Sequence, residues 1–289
     1  MKSLGKGVNF INCGLQLLNI PMAKKSSGGI IKWIWIAVFA PLFCLSLFIT
    51  YRAMFGNLPS FEELENPKSM LASEIYGYNG QLIGKYYVKN RTNVTFQQLS
   101  KNVINALNAT EDIRFWQHSG IDLRGLMRAI FNVGSKGGGS TITQQLAKNL
   151  FHERPKNKLH RIRQKIDEWI ISVKLERNYT KEEILAMYLN TVDFVNSAVG
   201  IKSAARVYFN TTPDSLKIEQ AATLVGMLVN PSLYNPIRFP ENATQRRNVV
   251  LLQMAKHQFI TQEQKEKLQN KPLGTTFISE DHNAGTATY

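Results

Sequence analysis

From Trp33 to Thr50 the chain reads WIWIAVFAPLFCLSLFIT, without one charged side chain. A run of this length and composition has no place on the surface of a water-soluble fold. With Ile30, Ile31 and Tyr51 added, at 1.5 Å per helical residue, it reaches the ~30 Å of a hydrocarbon core. Trp33, Trp35 and Tyr51 lie at its ends, where amphipathic rings favour the headgroup layer. Pro41 is more tolerable in a membrane helix than in a soluble one. The alternative is a cleaved signal peptide, but its apolar stretch is only ~7–15 residues and ends in a small-x-small site. Thr50-Tyr-Arg-Ala-Met-Phe55 offers no such site, so the reading is a retained single-pass helix over residues 30–51.

Charge fixes the expected topology. The chain carries 35 Lys and Arg against 21 Asp and Glu, a formal net of +14. Lys2, Lys6, Lys24, Lys25, Lys32 and Arg52 fall in the first 52 residues, which hold no acid. Five lysines before the span and one arginine after it predict a cytoplasmic N-terminus with the bulk of the chain outside. Cys13 and Cys44 would then lie in the cytoplasm and the bilayer, unable to pair, and a disulfide scaffold or cysteine-held zinc is excluded. Residues 1–29 form the cytoplasmic segment. Met22-Ala-Lys-Lys-Ser-Ser-Gly-Gly reads as a more natural start than Met1.

Residues 52–95 read as a linker and a β-hairpin. SFEELENP (60–67) is an acidic connector, and Asn79-Gly80 lies between alternating apolar stretches, a strong hairpin signal. Beyond Gln97 apolar residues recur at helical spacing, as in Ile166, Trp169, Ile170 and Val173. Thr180-Lys-Glu-Glu183 is a capping box, and Thr261-Gln-Glu-Gln264 a weaker one. The fold class expected is therefore mainly α, over residues 96–272, followed by an extended tail at 273–289.

Three constellations can carry chemistry. In Glu111-Asp112-Ile-Arg114-Phe115-Trp116-Gln-His118-Ser-Gly120-Ile-Asp122, two acids lie among cations and aromatic rings, an environment that tunes a carboxylate. Acids at a helix start that simply favour the dipole explain the same residues. Gly137-Gly-Gly-Ser140-Thr141-Ile-Thr143-Gln144-Gln145-Leu-Ala-Lys148-Asn149 combines glycine freedom with a Ser/Thr-rich helix start suited to oxyanions. A plain cap beside a loop is the competing reading. The third is the basic run from Lys148 through Arg161, Arg163 and Lys165 to Glu168, either a phosphate-facing cluster or a solvated helix face. Lys136-Gly-Gly-Gly-Ser140 lacks the order of a P-loop.

Taken in order, these segments resemble the motifs of the peptidoglycan glycosyltransferases, the family 51 transglycosylase domain of class A penicillin-binding proteins and monofunctional transglycosylases. Glu-Asp-x-x-Phe-x-x-His-x-Gly-x-Asp is met by Glu111, Asp112, Phe115, His118, Gly120 and Asp122. Gly-Gly-Ser-Thr-x-Thr-Gln-Gln with Lys-Asn is met from Gly138 to Asn149. Arg-Lys-x-x-Glu is met by Lys165 and Glu168, with Gln164 in place of the arginine and Arg161 or Arg163 near enough to replace its charge. Lys-x-x-Ile-Leu-Glu-x-Tyr-Leu-Asn is met by Lys181, Ile184, Leu185, Tyr188, Leu189 and Asn190, with Ala186 for the glutamate. Gly226, Pro231, Asn235, Arg246, Arg247 and Asn248 extend the likeness.

The resemblance implies a lysozyme-like fold with a membrane-proximal jaw, and polymerisation of lipid II into β-1,4 glycan with inversion and release of undecaprenyl diphosphate. By motif position Glu111 and Glu168 would be the catalytic pair, Glu111 as the general base and Glu168 near the leaving diphosphate. Lys148, Lys165 and nearby arginines would neutralise that group, and Ser140, Thr141 and Gln145 would line the donor site. Asp112, His118, Gln144, Asn149, Arg161, Arg163 and Asn190 complete the expected substrate contacts. A divalent cation, Mg or Mn, would assist at the diphosphate, with no metal cluster visible in the sequence and no organic cofactor. The expected partners are lipid II, the growing glycan, inner-membrane lipids and proteins of the cell-wall synthesis complex, and no nucleic acid. The location implied is the bacterial plasma membrane, with the catalytic domain extracytoplasmic. Leu123, Leu126, Met127, Ile130 and Phe131 with Arg124 and Arg128 would form a lid against the bilayer. A membrane-anchored lysozyme-like hydrolase is the rival reading. Two-domain members continue into a transpeptidase, so a missing transpeptidase beyond Tyr289 is expected; no Ser-x-x-Lys motif occurs after the span.

Overall fold

Helix α1 runs Ser27–Phe55, past the apolar run at both ends, with Pro41 accommodated inside it and Gly56 just beyond its end. In the computed structural model its apolar side chains are exposed, with Trp33 at 72% and Trp35 at 57%. The described residues are 27–56, 58–59, 73–76, 82–86, 93–131, 139–151 and 155–278. The chain divides into two compact units, Met1–Thr50 and Tyr51–Tyr289. The expectation for residues 1–21 and the tail beyond Ile278 lies outside the described residues.

In the second unit, β1 (Ser73–Tyr76) and β2 (Leu82–Tyr86) pair antiparallel, with Ser73 opposite Tyr86 and an irregularity between Ile75 and Tyr76. The Asn79-Gly80 turn lies outside the described residues. All other regular structure described is helical: α2 (Lys101–Thr110), α3 (Leu123–Phe131), α4 (Ile142–Phe151), α5 (Lys158–Asn178), α6 (Lys181–Thr191), α7 (Gly200–Phe209), α8 (Ile218–Met227), α9 (Pro240–Lys256) and α10 (Gln262–Gln269), with three short 3-10 turns.

Local chemistry sets these boundaries. Ser100 caps α2 by accepting from the Asn102 N–H and also donates to Leu216 O, tying the helix start to the loop before α8. Asn157 caps α5, and both Thr180–Glu183 and Thr261–Gln264 form reciprocal capping boxes. The box at Thr261 is as complete as that at Thr180, so its weaker sequence signal did not mean a weaker cap. Asn210 ends α7 in the left-handed region at φ 49°, a conformation Asn tolerates.

The core forms where α4 packs on α5 and α6, and where α8 packs on α2 and α9. Leu107, Phe115, Ile142, Leu146, Ile171, Leu175 and Tyr188 are all at or below 2% exposure within it. Burial of each large apolar side chain contributes roughly 1.5–3 kcal/mol against chain entropy. This packing brings the C-terminus of α2, the N-terminus of α4 and the middle of α5 together.

Candidate active site

Glu111 sits where α2 ends; its N–H still bonds to Leu107 O at 2.8 Å while its side chain leaves the helix. Asp112 is 6% exposed and turns the other way. Its Oδ2 accepts the Ile142 N–H at the start of α4 (3.2 Å) and lies 2.9 Å from His118 Nε2. An ionised carboxylate accepts only, so the imidazole donates. The second acid of the pair therefore caps α4 and locks the loop, and the first is left for chemistry.

Gly120 is the hub of that loop. Its φ is +86°, and a Cβ there would lie 2.9 Å from the Ser172 carbonyl, so glycine alone fits. The Gly120 carbonyl accepts from Thr141 Oγ1 (2.7 Å) and Gln144 Nε2 (3.1 Å). From α6, Lys181 Nζ donates to His118 O at 2.6 Å, pairs with Glu176, and stands 4.3 Å over the Phe115 ring. Arg114 pairs with Asp122. Burial alone would raise the Asp122 carboxyl, but the Arg114 guanidinium and the Gly125 N–H outweigh it and hold it below the usual carboxylate range.

Glu168, 1% exposed, has both oxygens engaged, by Arg161 Nη1 at 2.7 Å and Lys165 Nζ at 2.9 Å. Lys165 also donates to Ser140 Oγ (2.7 Å) and Gln144 Oε1 (2.9 Å), so it joins α5 to the start of α4. Burial pushes the Lys165 ammonium below the usual lysine range; Glu168 pulls it back, and the charges of Arg161 and Lys148 push it down again. Glu168 is thus a buried anion that organises two cations, not a carboxylate open to substrate.

Glu111 lines a cavity of about 520 Å³ together with Arg114, Ser140, Thr141 and Gln145. Gln145 Nε2 donates to Glu111 Oε2 at 2.8 Å, and Tyr188 OH donates to Gln145 Oε1 at 2.9 Å. Arg128, Arg246, Lys256 and His257 line the same cavity. Arg246 belongs to the family likeness and Arg128 to the expected lid, whereas Lys256 and His257 are not among the residues expected from the sequence. Spacings of seven and four residues put Arg246, Gln253 and His257 on one helix face, a signal present in the sequence.

Other sequence candidates fall elsewhere. The Asn190 amide is spent on the Val94 N–H (3.0 Å) and carbonyl (2.9 Å), holding the segment before α2 rather than facing the cavity. Arg163 is exposed beside Lys156, Leu159 and His160 in a separate shallow depression; of the two arginines weighed as replacements at Gln164, Arg161 is the one at Glu168. Lys148 and Asn149 are exposed on α4. Thr141 and Gln144 hold the Gly120 carbonyl, and residues 132–138 of the expected lid lie outside the described residues.

The family described as Transglycosylase matches residues 79–255. The chain belongs to the transglycosylase family. Penicillin-binding protein 1A of Aquifex aeolicus is 40% identical over 233 residues, covering 79% of this chain and 32% of that protein. Penicillin-binding protein 1A/1B of Bacillus subtilis is 38% identical over 277 residues, covering 92% and 30%. Penicillin-binding protein 1A of Escherichia coli is 36% identical over 236 residues, covering 80% and 27%. The chain spans about a third of the length of these relatives. Among solved structures, penicillin-binding protein 1A from Haemophilus influenzae aligns with a TM-score of 0.42 at 20% identity, over 74% of this chain and 22% of that one.

Among the described residues no three His, Cys, Asp or Glu side chains converge to hold a metal, and both Glu168 oxygens already face cations. Positive charge at this end of the site is supplied by Lys165 and Arg161.

Proposed function

We propose that the chain polymerises lipid II, transferring a glycan from its lipid diphosphate to the 4-hydroxyl of the incoming N-acetylglucosamine. The observation that carries this reading is the pairing of one open carboxylate, Glu111, with cations fixed beforehand around it. Lys165 reaches the cavity through Ser140, and Arg128, Arg246 and Lys256 line its wall. A neutral glycosidic leaving group needs a proton; a diphosphate needs charge already in place before its bond breaks. The fixed cations favour the second chemistry over a lysozyme-like hydrolase.

In this mechanism Glu111 takes the proton of the acceptor hydroxyl as its oxygen attacks the anomeric carbon. The carbon–oxygen bond to phosphate breaks on the opposite face, and the undecaprenyl diphosphate leaves with the electron pair. Displacement from an α-linked donor gives the β-1,4 linkage. Lys165 and Arg161, held by Glu168, neutralise the departing charge. In keeping with this reading, α1 anchors the chain in the plasma membrane with the five lysines that precede its apolar run inside. Arg52 is paired with Asp167 and is no free charge outside, which makes the lysine asymmetry sharper. Helix α3, with Leu123 (68%) and Met127 (49%) exposed among arginines, is the part of the jaw that lies on the bilayer.

Labelled lipid II incubated with the detergent-solubilised chain tests the proposal. Release of polyprenyl diphosphate with growth of glycan, lost in Glu111→Gln, is expected. Cleavage of preformed glycan without lipid II turnover would overturn it.

A further inference from the structure

Gln145 was expected on the donor side of the site, yet its amide is committed on both faces. Its Nε2 donates to Glu111 Oε2 at 2.8 Å, and its Oε1 accepts from Tyr188 OH at 2.9 Å. Only one assignment of this chain satisfies every group. An ionised Glu111 carboxylate has no proton to give, so it must face the amide nitrogen. The amide oxygen must then face Tyr188, and the phenol must donate to it. Turned by 180°, the amide would set its oxygen against the carboxylate and its nitrogen against the phenol. That arrangement places two acceptors at hydrogen-bond distance.

We infer that Tyr188 is a positioning residue for the proposed general base, acting through Gln145 to hold Glu111 Oε2 and to leave Oε1 as the oxygen that meets the acceptor hydroxyl. This rests on the reading of Glu111 as the base. Two further observations support the relay. Tyr188 is 2% exposed in the core between α4 and α6, so no water competes for its proton and its ring is fixed by packing. Burial, followed by the nearby Glu111 charge, raises the phenol far above its ordinary range, so the hydroxyl stays a donor throughout the working pH. The three groups come from the end of α2 (Glu111), from α4 (Gln145) and from α6 (Tyr188), so the relay also reports whether these helices are in register.

A positioning role and a binding role predict different kinetics. If Gln145 and Tyr188 orient the base, loss of the phenol oxygen slows the proton transfer and leaves lipid II binding alone. If they contact the donor, KM changes instead. The test uses the full chain in detergent with lipid II, comparing wild type, Tyr188→Phe, Gln145→Ala, the double variant and Glu111→Gln. Tyr188→Phe is expected to lower kcat about tenfold to a hundredfold, the scale of a misaligned catalytic group, with KM within about twofold. In the Gln145→Ala background the same change is expected to alter kcat by less than about twofold, because the oxygen has lost its target. Wild-type kcat in Tyr188→Phe, an equal loss in both backgrounds, or a rise in KM at constant kcat would each overturn the relay. Full activity in Glu111→Gln would instead refute the base assignment, so the two failures are distinct. Gln145→Asn, which withdraws the amide while keeping Tyr188, is a second check should the Phe variant fold poorly. It supports the relay if kcat falls at constant KM and contradicts it if kcat is unchanged.

Discussion

Replacing Arg52 by leucine would leave the Asp167 carboxylate buried without its cation. Arg52 lies in the last turn of α1, which belongs to the second compact unit, and donates to Asp167 through Nε (3.0 Å) and Nη2 (2.9 and 2.8 Å). The two side chains are 9% and 11% exposed, so this is not a surface pair worth under ~1 kcal/mol. Removing one partner of a buried pair costs about 3–5 kcal/mol, mostly as the stranded charge. Arg52→Leu and Asp167→Leu should each show that loss. Arg52→Leu/Asp167→Leu should be far milder than either, since two apolar groups replace the pair. Gly56 lies against the same arginine: a Cβ there would overlap the Arg52 carbonyl oxygen and fall 3.0 Å from its guanidinium carbon. Thermal unfolding of the detergent-solubilised chain is the assay. At about 2–4 °C per kcal/mol for a unit of this size, each single variant should melt roughly 10 °C lower. A shift under about 2 °C in both single variants, or additive losses in the double, would refute the claim that burial makes the pair matter.

Lys165 gives a pH prediction. Its folded value lies below the ordinary 10.5, so the folded chain sheds this proton earlier than an unfolded one. Polymerisation should therefore be intact on the acid side and fall, on raising the pH, before 10.5 is reached; Lys165→Arg should remove that alkaline limb, since a guanidinium keeps its proton. Gly120→Ala should cost about 2–4 kcal/mol in urea unfolding, combining a positive φ with overlap on the Ser172 carbonyl, and should lower activity with it. Arg247, fully buried, donates to Gln269 O (2.9 Å), Lys271 O (2.7 Å) and Pro272 O (3.3 Å). Arg247→Met should leave those carbonyls unmet, cost about 3 kcal/mol, and speed limited proteolysis just after α10.

Helices and their caps were legible because their causes are local. Thr180 and Glu183 are three residues apart, and the bond between them is a property of that spacing. The two adjacent acids of the first motif were legible as a pair but not in their separate duties. Which of them is spent on structure depends on Ile142, thirty residues further along, whose N–H meets Asp112 and not Glu111. Asn190 looked like a substrate residue for the same reason that its real duty was hidden. Its partner is the backbone of Val94, and a backbone group carries no sequence signature.

The basic run shows where that reasoning stops. From the sequence, Lys165, Arg161 and Arg163 are equivalent cations on one stretch of helix. A helix turns 100° per residue, so Arg161, Lys165 and Glu168, at spacings of four and three, share a face, while Arg163 lies some 200° from Arg161. The structure follows this geometry, with Arg161 and Lys165 each paired to Glu168 and Arg163 exposed. What the periodicity could not supply is the sign of the result. A buried glutamate between two cations can be read as a nucleophile, an acid or an anchor. Both its oxygens are occupied, and one of its cations reaches on to Ser140 at the cavity that holds Glu111. A group in that position cannot meet a sugar without first releasing the cations that the proposed mechanism assigns to its leaving group. Glu168 therefore contributes most by staying where it is, and its removal should disperse the cations before it alters any proton transfer.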